Sequence, residues 1–508
     1  MKSHKDVSMV LSRAPEGLEA PLVRVEVHLG SGLPQFALVG LPETVVRESK
    51  ERVRSALQTS GFEFPLARIT VNLSPADLPK EGGRFDLPIA IGILAAADVI
   101  PKRALLQREF YGELSLGGEL RETGKLLPAL IHGAESGNEL ILPQANALEA
   151  SLVRSARLRL AHRLTQVVAA LRREGGGELA QVPALISNSP ASATMADVAD
   201  VRGQFAAKRA LEIAAGGEHG LLFIGPPGAG KTLLAQRLPG LLPPLSADEA
   251  LEVACLESAA GRRPTNGLRR PFRSPQHTAS MAALIGGSGL RPGELSLAHQ
   301  GVLFLDELPE FPRNALEALR EPMESGVVLV SRLKRTRRFP AQFLLVAAMN
   351  PCPCGYAGDV RGRCRCSGEQ IARYRNRISG PLVDRIDMHV ELMALPAEHL
   401  LGEVQVSVEN SATVAARVAA ARSVQLARQG KLNGRLSARE VGLYCSLGRD
   451  ARSLLSTAIA RMGLSARAYH RVLKLARTCA DLSAAPNVRF IDVAEAIKLR
   501  ALDRATCC

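Results

Sequence analysis

The sequence contains no tryptophan, and aromatic residues make up only 4% of its 508 residues, so its cores must be mainly aliphatic. Long apolar runs are also missing. The longest, residues 87–100, includes Asp98 and is too short to span a bilayer. The N-terminal MKSHKDVSMV has no apolar run after its lysines, so no signal peptide is predicted. We therefore expect a cytoplasmic protein with no membrane partner.

Acidic residues are outnumbered: 50 Asp and Glu face 64 Lys and Arg, which gives a net charge of +14. Residues 411–508 hold 17 basic and 6 acidic residues, a net of 17 − 6 = +11. Such a balance favours acidic partners, of which nucleic acid is the commonest, although a solvated basic surface is the alternative. Nine cysteines in a chain without an export signal are typical of reduced cytosolic thiols.

The length predicts two to four domains, and composition suggests where they divide. Residues 1–172 alternate strand-like and helical segments, and residues 173–196, rich in Gly, Ala, Pro and Ser, predict a linker. Residues 197–400 alternate continuous apolar strands with helices, as in a parallel sheet covered on both faces. Residues 401–508 are rich in Ala, Leu and Arg and predict a small helical domain. No internal repeat is visible.

Four segments of the N-terminal region have a readable local pattern. Residues 23–29 and 68–73 alternate apolar and polar side chains, as half-buried strands do. Residues 45–60 predict an amphipathic helix between these two strands. Residues 87–97 are uniformly apolar and predict a helix or a buried strand.

Residues 225–232, GPPGAGKT, fit the phosphate-binding pattern G-x-x-x-x-G-K-[ST]. The motif lies between an apolar strand and a helix, where backbone N–H groups and the helix N-terminus face the phosphates of ATP. We expect Lys231 to reach the β- and γ-phosphates and Thr232 to ligate Mg²⁺. The predicted nucleotide-binding residues of this loop are Gly225, Pro226, Pro227, Gly228, Ala229, Gly230, Lys231 and Thr232.

Two further apolar strands end in polar residues. Residues 302–305 precede Asp306, placed to hold Mg²⁺, and Glu307, placed to polarise the attacking water; the alternative is a solvated acidic pair. Residues 344–349 precede Asn350, whose amide can hold that water, although an Asn before a proline is also a common turn residue. Three strands in this order resemble an AAA+ ATPase module.

The AAA+ resemblance also implies roles for arginines. In AAA+ rings an arginine at the place of Arg385 reaches the ATP of the neighbouring subunit and stabilises the transition state. The alternative is an ion pair from Arg385 to Asp384 or Asp387, and Arg377 is the reserve candidate. Arg467, in a basic helix, resembles the lid arginine that senses the γ-phosphate.

A second candidate for this lid role is Arg471, and ordinary surface charges are the remaining interpretation.

Longer motifs resemble one family. Residues 201–204 (VRGQ), 291–311 (RPGELSLAHQGVLFLDELPEF), 350–355 (NPCPCG) and 377–387 (RISGPLVDRID) are similar to the YifB/ComM family of magnesium-chelatase-like AAA+ ATPases. The resemblance covers nearly the whole chain. It implies a mixed α/β fold: an AAA+ P-loop module with a parallel sheet and a small helical lid, after a Lon-protease-like α+β domain.

The same resemblance implies an activity. Family members resemble hexameric ring motors on DNA, and ComM-type proteins are described as branch-migration helicases that help integrate incoming DNA during natural transformation. We therefore expect a homo-hexameric ATPase that acts on single-stranded or branched DNA. The alternative is a chelatase-type ATPase that remodels a protein partner, and a third possibility is a Lon-like protease.

This branch of AAA+ modules carries two inserts that face the pore, here residues 285–293 and a hairpin over residues 327–343. The hairpin includes RLKRTRR at residues 332–338, five basic residues in seven, which suits phosphate contacts. Lys334 and Arg335 are the candidate DNA contacts, with a basic surface turn as the alternative.

The N-terminal domain departs from the protease pattern. Arg84 aligns with the nucleophilic serine and Leu127 with its partner lysine, while Lys125 lies two positions away. Because a Ser–Lys dyad needs both groups in contact, we expect a non-proteolytic scaffold for DNA binding or ring assembly.

Four cysteines cluster within fifteen positions: Cys352, Cys354, Cys364 and Cys366. Four thiolates can hold one tetrahedral Zn²⁺, although C-x-C is a tighter spacing than the commoner C-x-x-C. Unliganded thiols and a redox pair are the alternatives. A metal here would brace the loop that follows Asn350.

Overall fold

A computed structural model of the chain describes residues 7–40, 44–172, 179–182, 196–264, 267–287, 290–332, 335–358, 362–394, 409–500 and 502. The chain forms two compact units. The first comprises Met1–Ser189 and Leu251–Gly267, and the second comprises Pro190–Ala250 and Leu268–Cys508. Most of the predicted linker, 173–196, lies outside the described residues, and the predicted domain boundaries stay predictions.

The first unit contains an eight-stranded mixed sheet in the order β10-β9-β8-β5-β1-β2-β4-β3 and a separate β6–β7 hairpin. Its strands are β1 Val7–Arg13, β2 Leu22–Gly30, β3 Gln35–Val39, β4 Arg68–Ser74, β5 Arg108–Phe110, β6 Glu113–Leu114, β7 Leu120–Arg121, β8 Glu139–Pro143, β9 Arg157–Ala161 and β10 Ala180–Gln181. β2 and β4 confirm the two predicted strands. They alternate because every second side chain, such as Val23, Val25 and Val27, is buried.

The α-helices of the first unit are Thr44–Thr59, Asp86–Ala96, Leu127–Glu135, Ala147–Ala150 and Leu164–Arg172. The first confirms the predicted amphipathic helix. The uniformly apolar segment proves to be a helix, Asp86–Ala96, and all its residues are buried, which explains why it lacks a polar face. A further helix, Ala247–Ala259, contains the division of the chain at Ala250.

The second unit contains a five-stranded sheet, β12-β13-β16-β11-β17, in which every pairing is parallel. Its strands are β11 Leu221–Ile224, β12 Phe272–Arg273, β13 Val302–Leu305, β16 Leu344–Met349 and β17 Met388–Glu391. The three strands predicted from continuous apolar runs are β11, β13 and β16, and all their residues are buried. β14 Val327–Arg332 and β15 Arg335–Pro340 form the predicted hairpin.

The α-helices of the second unit connect these strands and then, over residues 409–500, form a mainly helical segment. They are Phe205–Gly217, Lys231–Ala235, Met281–Ile285, Glu294–Leu297, Arg313–Glu317, Arg320–Ser325, Gly368–Arg375, Gly380–Val383, Ser411–Gln429, Ala438–Tyr444, Arg449–Met462, Ala466–Leu482 and Phe490–Lys498. No helix in the described ranges combines the length and the apolar composition that a membrane crossing needs.

Candidate nucleotide site

The loop after β11 leads directly into the helix Lys231–Ala235. Gly228 and Gly230 have positive φ angles of 76° and 89°, a conformation that glycine adopts at little cost. Lys231 Nζ donates hydrogen bonds to the carbonyls of Gly225 and Pro226, at 2.6 and 3.0 Å. The lysine therefore folds back over the predicted phosphate-binding loop.

Thr232 joins this loop to the end of β13. Its hydroxyl donates to Asp306 Oδ2 at 2.7 Å, although the two residues are 74 positions apart. Hydroxyl and carboxylate oxygens are hard donors of the kind that Mg²⁺ prefers. The two residues predicted to ligate Mg²⁺ are thus in direct contact.

Glu307 has a positive φ of 53°, which is unusual for a residue other than glycine and occurs often at functional sites. Its carboxylate is half exposed and lies 3.3 Å from Nδ1 of His277. No pattern in the sequence singles out His277. It follows β12, which pairs with β13 and so places the histidine beside the acidic pair.

Asn350 follows β16 and accepts a hydrogen bond from Lys231 Nζ at 3.0 Å. The contact exists because β11 and β16 are parallel neighbours, so their carboxyl ends meet at one edge of the sheet. Lys231, Thr232, Asp306 and Asn350 therefore form one continuous set of contacts, and Glu307 extends it to His277.

Arg385 lies in a different environment, and its side chain is only 7% exposed. Its guanidinium pairs with Glu324 at 2.7 Å and donates to the carbonyl of Pro381 at 2.8 Å. The ion pair of Arg385 is therefore made with Glu324 and not with Asp384 or Asp387, the two partners that the sequence suggested. Its Nε has no partner among the described residues.

Asp387 is buried and binds the helical C-terminal segment. Its carboxylate pairs with Arg471, accepts from the N–H of Gly220 at 3.0 Å and lies 3.5 Å from His219. Burial opposes the charged form, but Arg471 and then His219 outweigh it and hold the pKa of Asp387 far below its usual range. Arg467, by contrast, is exposed, and the described part of the chain offers its guanidinium no partner.

Arg377, the reserve candidate, forms an exposed ion pair with Glu310 at 2.7 Å.

At the predicted DNA hairpin, Lys334 lies outside the described residues. Arg335 pairs with Arg332 in the strand register and is partly buried. Of the other predicted insert, 285–293, residues 288–289 are outside the described ranges.

In the first unit, Arg84 is buried and donates to the carbonyl of Gly124 at 2.5 Å. Burial lowers the pKa of Arg84 to about 10. Lys125 pairs with Glu81 at 2.8 Å, so this cation is already neutralised. The two segments aligned with a protease dyad do meet, but they bring together an arginine and a paired lysine. The Lon-like fold itself stays a prediction.

The four clustered cysteines come together in space, with all four sulfurs within 4.8 Å of one another. Cys352 is buried, and its Sγ lies 3.3 Å from that of Cys354 and 3.8 Å from that of Cys364. Backbone N–H groups of Arg365 and Tyr356 lower the pKa of the Cys354 thiol to about 6. This donor set is suited to a soft metal ion.

Known proteins match the chain along almost its whole length. Family models match in three places: "Magnesium chelatase, subunit ChlI" over residues 197–400, "Subunit ChlI of Mg-chelatase" over 25–146, and "Magnesium chelatase, subunit ChlI C-terminal" over 408–500. Competence protein ComM of Haemophilus influenzae is 48% identical over 98% of both chains.

Two further relatives extend the comparison. YifB of Salmonella typhimurium is 47% identical, again over 98% of both chains. The magnesium-chelatase 38 kDa subunit of Acidiphilium rubrum is 30% identical over 26% of this chain and 45% of its own. The family implies use of ATP and Mg²⁺, and the oxygen donors and the glycine loop described above fit both. The chain belongs to the YifB/ComM family of magnesium-chelatase-like AAA+ proteins.

Proposed function

We propose that this protein is an ATP-driven motor that moves branched or single-stranded DNA, acting as a hexameric ring. The observation that carries the proposal is the chain of contacts Lys231–Asn350 and Thr232–Asp306 at the carboxyl edge of a parallel sheet. This edge is where nucleotides bind in open α/β sheets. The relative named a competence protein in Haemophilus influenzae supports a role in competence, which we propose is the integration of incoming DNA.

Each residue has a part in the proposed hydrolysis. Lys231 and the loop N–H groups hold the phosphates, and Thr232 and Asp306 hold Mg²⁺, which when bound neutralises charge on the phosphoryl oxygens. Glu307 orients and polarises the attacking water. The side-chain amide of Asn350 accepts a hydrogen bond from Lys231 in the structure. When ATP phosphates bind Lys231 instead, this amide is released and turns toward the attacking water.

Positive charge for the transition state comes from Arg385 of the neighbouring subunit and from Arg467 of the lid. Arg467 is exposed, so its guanidinium is available to a nucleotide. Arg385 must leave Glu324 to reach another chain, because the two now form an ion pair. A ring therefore has a built-in condition for hydrolysis: the intersubunit contact must replace the Glu324 contact.

The test is ATP hydrolysis and junction movement by the purified full chain, with and without single-stranded and four-way DNA. We expect DNA to raise the hydrolysis rate and the protein to move the junction. Lys231→Ala and Glu307→Gln each lower both rates by a factor on the order of a hundred or more. Glu307→Gln keeps its affinity for ATP, because this carboxylate acts on water and not on the phosphates. Glu369→Gln is the control, since Glu369 is exposed and paired with Arg373 on the helix surface.

Junction movement that survives Lys231→Ala or Glu307→Gln would contradict the proposal. An ATP hydrolysis rate that DNA does not change but a protein partner raises would support the alternative, a chelatase-type ATPase that remodels a partner. The match to magnesium-chelatase subunits favours testing that alternative alongside DNA.

A further inference from the structure

The cysteine cluster has the dimensions of a metal site. A tetrahedral zinc with Zn–S bonds of about 2.3 Å places its ligand sulfurs about 3.8 Å apart. The sulfur of Cys364 lies 3.8 Å from that of Cys352 and 3.7 Å from that of Cys354. Cys366 completes the set, with all four sulfurs within 4.8 Å of one another. Two C-x-C pairs, nine residues apart in sequence, thus converge on one point.

A backbone hydrogen bond provides a second indication. The N–H of Ala357 donates to Cys352 Sγ at 3.3 Å. Donors directed at sulfur stabilise the thiolate form, which is the form that binds metal, and are typical partners of metal ligands.

The cluster also touches the nucleotide loop. Gly355, between the two halves of the cluster, has a φ of +85°, and a Cβ placed on it would lie only 2.6 Å from Cδ of Pro227. Its N–H donates to the carbonyl of Cys352 at 2.9 Å. Pro227 belongs to the phosphate-binding loop, so backbone beside the cysteines packs directly against that loop.

The remaining contacts tie the same segment to the rest of the site. Asn350, two residues before Cys352, accepts from Lys231 at 3.0 Å. The carbonyl of Pro351 accepts from Arg375 Nε at 3.3 Å, in the helix that follows the cluster. The chain just before Cys352 is therefore anchored both to the phosphate-binding loop and to the helix Gly368–Arg375.

We propose that Cys352, Cys354, Cys364 and Cys366 bind one structural Zn²⁺, and that this metal holds Gly355 against Pro227 so that the loop is ordered for ATP. A metal ion bound by both C-x-C pairs links two separate segments of the chain, much as a disulfide would. The proposal that zinc binds here depends only on the four cysteines. The proposal that zinc orders the loop for ATP also rests on the proposed nucleotide site.

Elemental analysis of the purified full chain tests the metal. We expect one zinc per chain, lost in Cys364→Ser and Cys366→Ser and retained in the control Cys508→Ser, a cysteine far along the chain from the cluster. Iron with visible absorption would overturn the zinc assignment in favour of an iron–sulfur centre. Metal-free protein that is fully reduced and still takes up no zinc would overturn the metal site itself.

Titration with a fluorescent ATP analogue tests the coupling. A zinc-selective chelator, added with Mg²⁺ in excess, should weaken binding by about tenfold or more, and added zinc should restore it. Restoration excludes irreversible unfolding as the cause. Gly355→Ala should keep its zinc and still bind the analogue more weakly, because its methyl group meets Pro227. Equal affinity with and without zinc would overturn the coupling, whereas no binding by the zinc-loaded protein would overturn the proposed nucleotide site instead.

Discussion

Arg467 and Arg471 lie one turn apart on the helix Ala466–Leu482, yet their surroundings differ. Arg471 pairs with the buried Asp387, while Arg467 is exposed and has no partner among the described residues. Similar spacing on one basic helix made both candidates for the lid role. The buried position of Asp387 makes Arg471 a structural residue, whereas Arg467 remains available for a ligand.

Arg471→Ala should therefore destabilise the second unit. It leaves the Asp387 carboxylate buried without its main cation, a change that typically costs about 3 kcal/mol of unfolding free energy. Arg467→Ala should alter stability by less than about 0.5 kcal/mol and lower the ATP hydrolysis rate. Thermal or urea unfolding at neutral pH measures the first effect and steady-state hydrolysis the second.

The pH dependence gives the control. Because the folded pKa of Asp387 is depressed, its contribution is complete above the unfolded pKa, about 3.9, and declines as the pH falls from there toward the folded pKa. The stability gap between wild type and Arg471→Ala should narrow by up to about 1.4 kcal/mol per pH unit below that value. A gap that is absent at pH 7, or constant through acid pH, would show that the pair does not stabilise the fold.

Among individual residues, the sequence predicts the site residues whose positions follow from a local pattern. The loop 225–232 is contiguous, and Asp306 and Asn350 end apolar strands that must be neighbours in a parallel sheet. His277 could not be found in this way, because β12 has only two residues and shows no periodicity. Arg385 pairs with Glu324, 61 positions away in the sequence, and Arg471 pairs with Asp387, 84 positions away. No local sequence pattern indicates pairs so far apart.

Among the elements, the hairpin β14–β15 is the clearest candidate for contact with DNA. Its strands pair over six residues each, and side chains such as Val328, Val330 and Phe339 are buried on one face. The basic side chains of Arg335 and Arg338 lie on the second strand, where Arg335 is partly buried and Arg338 is exposed. The described part of the hairpin thus combines a buried apolar face with basic side chains, which suits an element that follows a phosphate backbone.

The double variant Lys334→Ala, Arg335→Ala should weaken DNA binding uniformly across sequences and leave DNA-free ATP hydrolysis unchanged. Each lost phosphate contact should reduce the slope of log affinity against log salt by about 1. Fluorescence anisotropy at several salt concentrations measures this slope. Arg373→Ala removes the same kind of charge from an exposed pair with Glu369 and is the matched control. An unchanged slope in the double variant would rule out the hairpin tip as a phosphate contact.

The hairpin itself follows from the sequence because apolar residues flank a basic turn. By contrast, nothing in the local pattern of residues 251–267 indicates that they group with the first unit. Their packing is set by tertiary contacts: Ala254 and Cys255 join a core with Leu127 and Leu130. Element type is thus more predictable than the unit to which an element belongs.

At the scale of the whole molecule, Arg385 poses the decisive question of assembly. Within one chain its charge is neutralised by Glu324, which is half exposed. If this ion pair is the only role of Arg385, then Glu324→Gln and Arg385→Ala should have the same effect on hydrolysis. If Arg385 acts on a neighbour's ATP, Arg385→Ala should abolish hydrolysis while Glu324→Gln retains it, because the freed arginine still reaches the site.

Mixing variants then tests whether Arg385 acts between subunits. Lys231→Ala lacks a working nucleotide loop and Arg385→Ala lacks the arginine, so each should be inactive alone. In an equal, random mixture about a quarter of the sites join an intact loop to a neighbour's intact arginine, and hydrolysis should recover to about that fraction. Mixing Lys231→Ala with Glu307→Gln should recover nothing, because both lesions affect the same side of the site. A mixture of the first pair that stays inactive, or a monomer with full activity, would show that each chain completes its own site and that the ring is not required for hydrolysis.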